Sequence, residues 1–491
     1  MAPPRAKNSG SRPVPPPPPP VKPADIVDRD EVWQTLVEAW GSDRPELLLG
    51  LGRRRAGKSW VLARFARSVG GLYYQATKRT EAHQLAVLSR IVGEHYGDSA
   101  LAQGVPFPDW EALFGYLGQR AGGGAFLLVI DEFPYLAEAA PALPSILQAT
   151  WDHEWATSKA KVVLNGSHIT AMTRLEEADQ PLYGRRTRRL TFPPFGAEDV
   201  RAFVPGYTAR DVFLTYGIVG GLPGHLGLLD PDQGLEANVS RLLLDPDGRL
   251  ADEAEHMLDA FLGEADVHYS ILQAIAQGER KWNRISSRLG KPGGSLSRPM
   301  RWLEDMHLVR RVVPITDDPG TSKRTLYRLS DPYVGFWHRF IAPLRATGEL
   351  GLATPEALWR GRIEPGLDDY MGPVFEDACR AWVARTEGLP FRPSRLGAWW
   401  DPTSENEIDI VALGLTHEVL MGTCKWGAVS DRDLAALRRA ATRLMPELPS
   451  SHQSGAVTYA CFSARGEWGP GVAGEIEAGS VLGFSGEDLL A

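Results

Sequence analysis

The run ELLLGL (46–51), the octet Gly52, Arg53, Arg54, Arg55, Ala56, Gly57, Lys58, Ser59 and the helical stretch SWVLARFARSV constrain this chain more than any other part of it. The octet fits GxxxxGK[ST], and its place between a strand and a helix is the context that gives the pattern meaning. Glycines let the backbone curl until its N–H groups face phosphate oxygens. A lysine at the seventh position reaches the β and γ phosphates, and the next hydroxyl suits Mg2+. The expected ligand is ATP with Mg2+. Gly52 through Ser59, with Trp60 behind them, form the expected nucleotide-contacting set, and Lys58 doubles as a catalytic charge.

A strand–loop–helix unit needs further parallel strands. LYYQA, FLLVI and KVVLN supply them, each bounded by helical segments. FLLVI ends in Asp131 and Glu132, as expected for a buried strand that delivers acids to the nucleotide edge. Asp131 would hold the metal with Ser59, and Glu132 would orient or deprotonate water. The run VVL ends at Asn165, Gly166 and Ser167. Asn165 either senses the γ phosphate or is a plain polar strand end, and Ser167 is the weaker candidate of the two. An arginine-dense turn follows, with Arg185 and Arg186 and then Arg188 and Arg189. Arg185 and Arg186 either act as an arginine finger, in cis or toward a neighbouring subunit, or form a solvated basic face.

With 491 residues, about three domains are expected. Residues 1–24 read as a disordered Pro-rich tail, 25–199 as the P-loop core, 200–255 as a helical lid, 256–330 as a winged helix, 331–368 as a helical linker and 369–491 as a last α/β unit. The winged-helix reading rests on helices around SILQAIAQ, NRISSRLG and LSRPMRWLEDM followed by strands LVRRVVPI and TLYRLS. Cys379, Cys424 and Cys461 are widely spaced, which argues against a disulfide framework or a structural zinc site. No run of about 20 apolar residues is present, so a cytoplasmic protein with no membrane role is expected. The net charge of −8 argues against a chain coated in nucleic acid. Locally, however, Arg280, Lys281, Arg284, Arg288, Lys291, Arg298 and Arg301 make the 256–330 segment basic.

VDRDE (27–31), GRRRAGKS, LLVIDEFPYL, NGSHITAM, PLYGRR, GGLPGHL, YRLSDPYVGFWHRF, FEDACR, EIDIVAL and GTCKW together resemble the archaeal-type P-loop ATPases of the AAA+/STAND lineage. Members of that family carry a winged helix and a C-terminal nuclease-like domain. The resemblance implies an α/β fold: a P-loop NTPase parallel sheet with a helical lid, a winged helix and a C-terminal mixed α/β domain like PD-(D/E)XK nucleases. It places Val27 to Arg29 near the adenine and closes the turn at Gly220, Gly221, Leu222 and Pro223 over the nucleotide. In the last unit it assigns Glu376, Asp409 and Lys425 to a nuclease-like constellation whose fourth position, normally an acid, is Thr423. Glu418 has the wrong strand parity to replace it. Glu407, Asp431 or Asp433 would have to supply a migrated acid, or the domain packs or binds without cutting.

The expectation is therefore an ATPase hydrolysing ATP with Mg2+, coupled to double-stranded DNA, a protein partner or a homo-oligomer. Its rivals are a nucleotide-gated switch with slow turnover and an ATP-controlled endonuclease.

Overall fold

The computed structural model describes residues 19–121, 124–259 and 266–491. Most of the Pro-rich tail expected over 1–24 lies outside them. Its described end is tied down, since the Trp33 indole donates to the Pro20 carbonyl at 3.0 Å and the Lys22 ammonium to the Asp28 carbonyl at 2.7 Å. The chain divides into two compact units, one containing residues up to 54 and 58–192, the other 55–57 and 193–491.

The first unit is built on five parallel strands, β1 (Glu46–Leu51), β2 (Leu72–Gln75), β3 (Ala125–Asp131), β4 (Lys159–Gly166) and β5 (Arg188–Thr191), in the order β2-β3-β4-β1-β5. Leu47, Leu49, Leu128, Ile130, Val162 and Leu164 enter one core cluster. The alternate residues Leu48, Val129 and Val163 are just as buried. Burial on both faces explains why these strands read as continuous apolar runs. The arginine-dense stretch 185–189 reads from sequence as a turn. Arg188 and Arg189 instead lie on β5, and Arg188 and Thr191 register with Leu48 and Leu51 of β1. The charged edge strand hid itself because its arginines pair with acids at its flank, Arg188 with Glu38 at 2.8 Å.

In the second unit, Asp266–Ala276, Trp282–Leu289 and Gly293–Asp305 are helices. They are followed by the antiparallel pair β6 (Val309–Val312) and β7 (Leu326–Leu329). The aromatic segment after β7 is helical, with Pro332–Phe336 running into a π-helical turn at Trp337–Ile341. Its polar edges are anchored, the Tyr333 hydroxyl on the Leu250 carbonyl at 2.8 Å and the Trp337 indole on the Ala251 carbonyl at 2.7 Å. The long helix Glu364–Arg385 leads into a mixed sheet. Its strands are β8 (Arg395–Trp400), β9 (Glu407–Leu413), β10 (Val419–Lys425), β11 (Val457–Ser463) and β12 (Val481–Ser485). β8, β9 and β10 pair antiparallel, and β10, β11 and β12 parallel. No helix among the described residues is long and apolar enough to cross a membrane.

Candidate nucleotide site

β1 lies between β4 and β5, and β3 lies beside β4, so the loop after β1 and the ends of β3 and β4 share one edge of the sheet. The loop turns through two left-handed residues, Arg55 at φ 67° and Gly57 at φ 83°. A glycine suits the second, where any side chain would be strained. The helix Lys58–Ser68 starts directly after it.

Lys58 is 4% exposed. Its ammonium donates to the carbonyls of Gly52 at 2.8 Å and Arg53 at 2.9 Å and to the Ser167 hydroxyl at 3.2 Å. Burial lowers its pKa to about 8, although Glu132 and Asp131 pull the other way. A buried cation answered mainly by neutral carbonyls is under-compensated, which is the electrostatic condition for taking up an anion.

Asp131 is fully buried and is held by three donors. They are the Tyr73 hydroxyl at 2.6 Å, the Glu132 backbone N–H at 3.0 Å and the Asn165 side-chain amide. Tyr73 comes from β2, where register places Gln75 opposite Asp131. Burial and then the bond to Asp131 raise the Tyr73 pKa, while a hydrogen bond with Ser59 opposes the rise. Ser59, Tyr73 and Asp131 therefore gather hydroxyl and carboxylate oxygens at one place, the donor set that Mg2+ prefers.

Glu132 sits at φ 53° in the left-handed region, a conformation that costs a non-glycine residue of order 1–3 kcal/mol and persists where surroundings hold it. The holder is Ser167. Its backbone N–H and hydroxyl donate to the Glu132 carboxylate at 3.1 and 2.5 Å. Ser167 thus joins Lys58 to Glu132, whereas Asn165 is fully buried and spends its amide on Asp131.

The remaining predicted residues are placed differently. Arg185 forms a two-pronged pair with Asp152, Nε to Oδ1 at 2.9 Å and Nη2 to Oδ2 at 2.6 Å, and also bonds the Pro181 and Tyr183 carbonyls. Arg186 pairs with Glu176. In this arrangement both arginines serve ion pairs, and none of these partners is a residue of the phosphate loop. Trp60 is half-exposed with the Arg64 guanidinium 3.2 Å over its ring. Arg54 is exposed, Ala56 is buried, and Val27 is half-buried. The neighbouring segment is tied to the helix after the loop by Asp25 and Arg64 at 2.6 Å. Within the second unit, the Gly224 N–H donates to the Arg55 carbonyl at 3.0 Å, and Pro223 lies 3.6 Å from where a Cβ on Gly57 would stand.

In the C-terminal sheet, the Asp409 carboxylate accepts from the Thr423 hydroxyl at 3.1 Å and the Cys424 N–H at 2.8 Å. Glu376 receives Arg328 at 3.0 Å and Arg380 at 3.7 Å. Lys425 faces Asp433 at 3.4 Å. Burial, then Glu376, raises the Asp409 pKa to about 6, so the trio does share one neighbourhood. Among the described residues, however, no group of three His, Cys, Asp or Glu side chains is arranged to hold a metal.

Residues 26–229 match the family described as an ATPase domain predominantly from Archaea. The chain carries an archaeal-type P-loop ATPase domain. Residues 337–437 match a second family, described as archaeal and bacterial proteins of unknown function. An uncharacterised protein of Methanocaldococcus jannaschii is 27% identical over 421 residues, 84% of this chain and 90% of that one. Among solved structures, the Walker-type ATPase of Pyrococcus abyssi has the same fold at TM-score 0.50 and 21% identity, over 66% of this chain and 98% of that one. The ORC2 protein of Aeropyrum pernix, solved with ADPNP and ADP, aligns at TM-score 0.42 and 13% identity, over 67% of this chain and 96% of that one.

Proposed function

We propose that this archaeal-type ATPase hydrolyses ATP to ADP and phosphate, and that the 256–330 segment, read as a winged helix, couples that cycle to DNA. The observation that carries the reading is the bridge from Lys58 through Ser167 to Glu132 beside a fully buried Asp131. It puts an under-compensated cation, a held carboxylate and a metal-type oxygen set on one sheet edge.

The loop from Gly52 to Ser59 would bind the phosphates, with Lys58 countering their charge. Ser59 and Asp131 would hold Mg2+, which when bound neutralises phosphate charge. Glu132, fixed by Ser167, accepts a proton from or orients water, and Asn165 keeps Asp131 in place. Val27 to Arg29 and Pro223 remain the proposed adenine and lid contacts.

A slow-turnover switch is the second reading, favoured by the engagement of Arg185 and Arg186 with Asp152 and Glu176. A charge supplied in trans, by another copy or a partner, would then accelerate hydrolysis. The nuclease-like unit is read as binding without cutting, because Arg328 already occupies Glu376 and a threonine stands where the second metal-binding acid belongs.

Steady-state ATP hydrolysis with Mg2+, with and without duplex DNA, tests these readings beside Lys58→Ala and Glu132→Gln. Turnover abolished by both variants and raised by DNA supports the coupled ATPase. Tight ATP binding without turnover under any condition favours the switch. No ATP binding at all refutes both.

A further inference from the structure

In the second unit a groove of about 470 Å³ opens between the start of the helix Trp282–Leu289, the β6–β7 hairpin and the end of β8. Lys281, Trp282, Arg311, Lys323, Tyr327 and Trp400 form its chemically distinctive lining, and no carboxylate is among the described residues that line it. Lys281 and Lys323 are exposed. Neither makes an ion pair or hydrogen bond through its side chain among the described residues. Arg311 has a long contact to the Thr325 hydroxyl at 3.4 Å and Glu304 in its field. In a chain of net charge −8, a concave surface lined by four cations, of which only Arg324 is ion-paired among the described residues, with Asp317, and by no acid is a local reversal of sign.

Its walls are aromatic. Trp282 and Tyr327 lie 5.6 Å apart at 45°, both half-buried, and Trp400 closes the far side. They are also fixed. The Ile315 N–H donates to the Ala398 carbonyl at 2.8 Å, Arg395 donates to the Ile315 carbonyl at 2.6 Å, and Ile315 itself joins the core of the C-terminal sheet. Arg324 ties the hairpin loop to that sheet through the Trp400 carbonyl at 2.8 Å and is itself held by an ion pair with Asp317 within the loop. The groove is therefore preformed, with one wall from the three-helix segment and the other from the nuclease-like sheet.

We propose that this groove holds an unpaired strand of nucleic acid, phosphates on Lys281, Arg311 and Lys323 and a base against the Trp282–Tyr327 rings. A duplex offers its phosphates but keeps its bases stacked. Cations on the lip with aromatic rings inside match a single strand or a splayed junction, where every base has a π face to present. This deepens the DNA arm of the proposed function and rests on it. It also gives the C-terminal sheet a role that needs no metal and no cleavage.

The test is fluorescence anisotropy of the full chain with labelled single-stranded, forked and blunt-duplex oligonucleotides across a salt series, one set carrying 2-aminopurine. The Lys281→Glu/Lys323→Glu pair is compared with Arg439→Glu, an exposed position on the helix Asp431–Leu444. Expected are tighter binding of single-stranded and forked DNA than of blunt duplex, and a loss of about tenfold or more in the double variant. The log–log salt slope should be shallower by roughly 1.4, about 0.7 per lost phosphate contact. The 2-aminopurine signal should change on binding and lose that change in Trp282→Leu. Equal affinity of the double variant and the Arg439→Glu control overturns the groove assignment. Duplex binding with no preference for unpaired DNA also overturns it, but leaves the DNA coupling intact. Absence of any DNA binding overturns both.

Discussion

Replacing Ser167 by alanine removes one oxygen atom, and that oxygen donates to Glu132 at 2.5 Å while receiving Lys58 at 3.2 Å. The Glu132 carboxylate keeps the Ser167 backbone N–H at 3.1 Å, so it is loosened rather than released. A hydrogen bond to a charged group contributes about 1.5–3 kcal/mol. If that bond holds Glu132 where water is activated, its loss appears in the transition state, and 1.36 kcal/mol per decade converts it to about a tenfold to hundredfold fall in kcat. The KM for ATP should move little, because Lys58 retains both loop carbonyls. Ser167→Thr, which preserves the hydroxyl, should keep most of the activity. In a Glu132→Gln background the Ser167→Ala change should add almost nothing, since the two residues act as one unit. Steady-state hydrolysis at saturating ATP reads the parent and all four variants. A Ser167→Ala kcat within twofold of the parent, or above it, would refute the positioning argument and leave Ser167 a strand-end bond.

Three further outcomes follow from packing and charge. Gly50→Ala would place a Cβ 2.6 Å from the Asn165 Oδ1, forcing that amide off Asp131. The expected cost is about 1–3 kcal/mol in chemical denaturation, and an unshifted midpoint would sink the claim. Lys161 is 1% exposed, bonds the Ser42 carbonyl at 2.7 Å, and burial lowers its pKa from 10.5 to about 8. Between those values the unfolded chain binds the extra proton, so stability rises with pH across the window, and Lys161→Met should flatten that rise. Identical pH slopes for the two proteins would contradict it. Arg328, 8% exposed, pairs with Glu376 at 3.0 Å. Arg328→Leu alone should cost about 3 kcal/mol by leaving a poorly answered acid, and adding Glu376→Gln should recover much of that. Strict additivity in the double-mutant cycle would show that the two do not interact.

The phosphate loop was legible in the sequence because its determinants are local: a strand, a left-handed glycine, a lysine and a hydroxyl within a few residues. The acidic end of β3 was legible for the same reason. What joins them was not. Tyr73 reaches Asp131 because β2 lies beside β3, and Ser167 reaches Glu132 because β4 follows, and neighbour order in a parallel sheet leaves no mark in a single strand. The arginines at 185 to 189 looked like one functional cluster. Their partners are Asp152, Glu176 and Glu38, acids drawn from separate elements, and two of them sit on a strand that its charges disguised. In the last unit β9 and β10 were readable as apolar runs, whereas β8, β11 and β12 were missed.

The arginines of the second unit answer the acids that the nuclease reading assigns to a metal. A metal site needs carboxylate lone pairs turned toward a common point and left for the ion. Here Asp377 takes Arg310 and Arg380, Glu376 takes Arg328, and the Asp409 oxygen takes a hydroxyl and a backbone N–H, so these charges are answered within the protein. Arg310 and Arg328 come from β6 and β7, the same hairpin whose connecting loop is pinned to β8 by Ile315 and Arg324. One hairpin thus satisfies the acids of the long helix and builds the basic groove beside the sheet. Placing an acid at position 423 would not by itself create a metal site, since Arg328 would still hold Glu376. Thr423→Asp should therefore leave DNA uncut with Mg2+ or Mn2+, and cleavage by that single variant would show that the arginines yield to a metal.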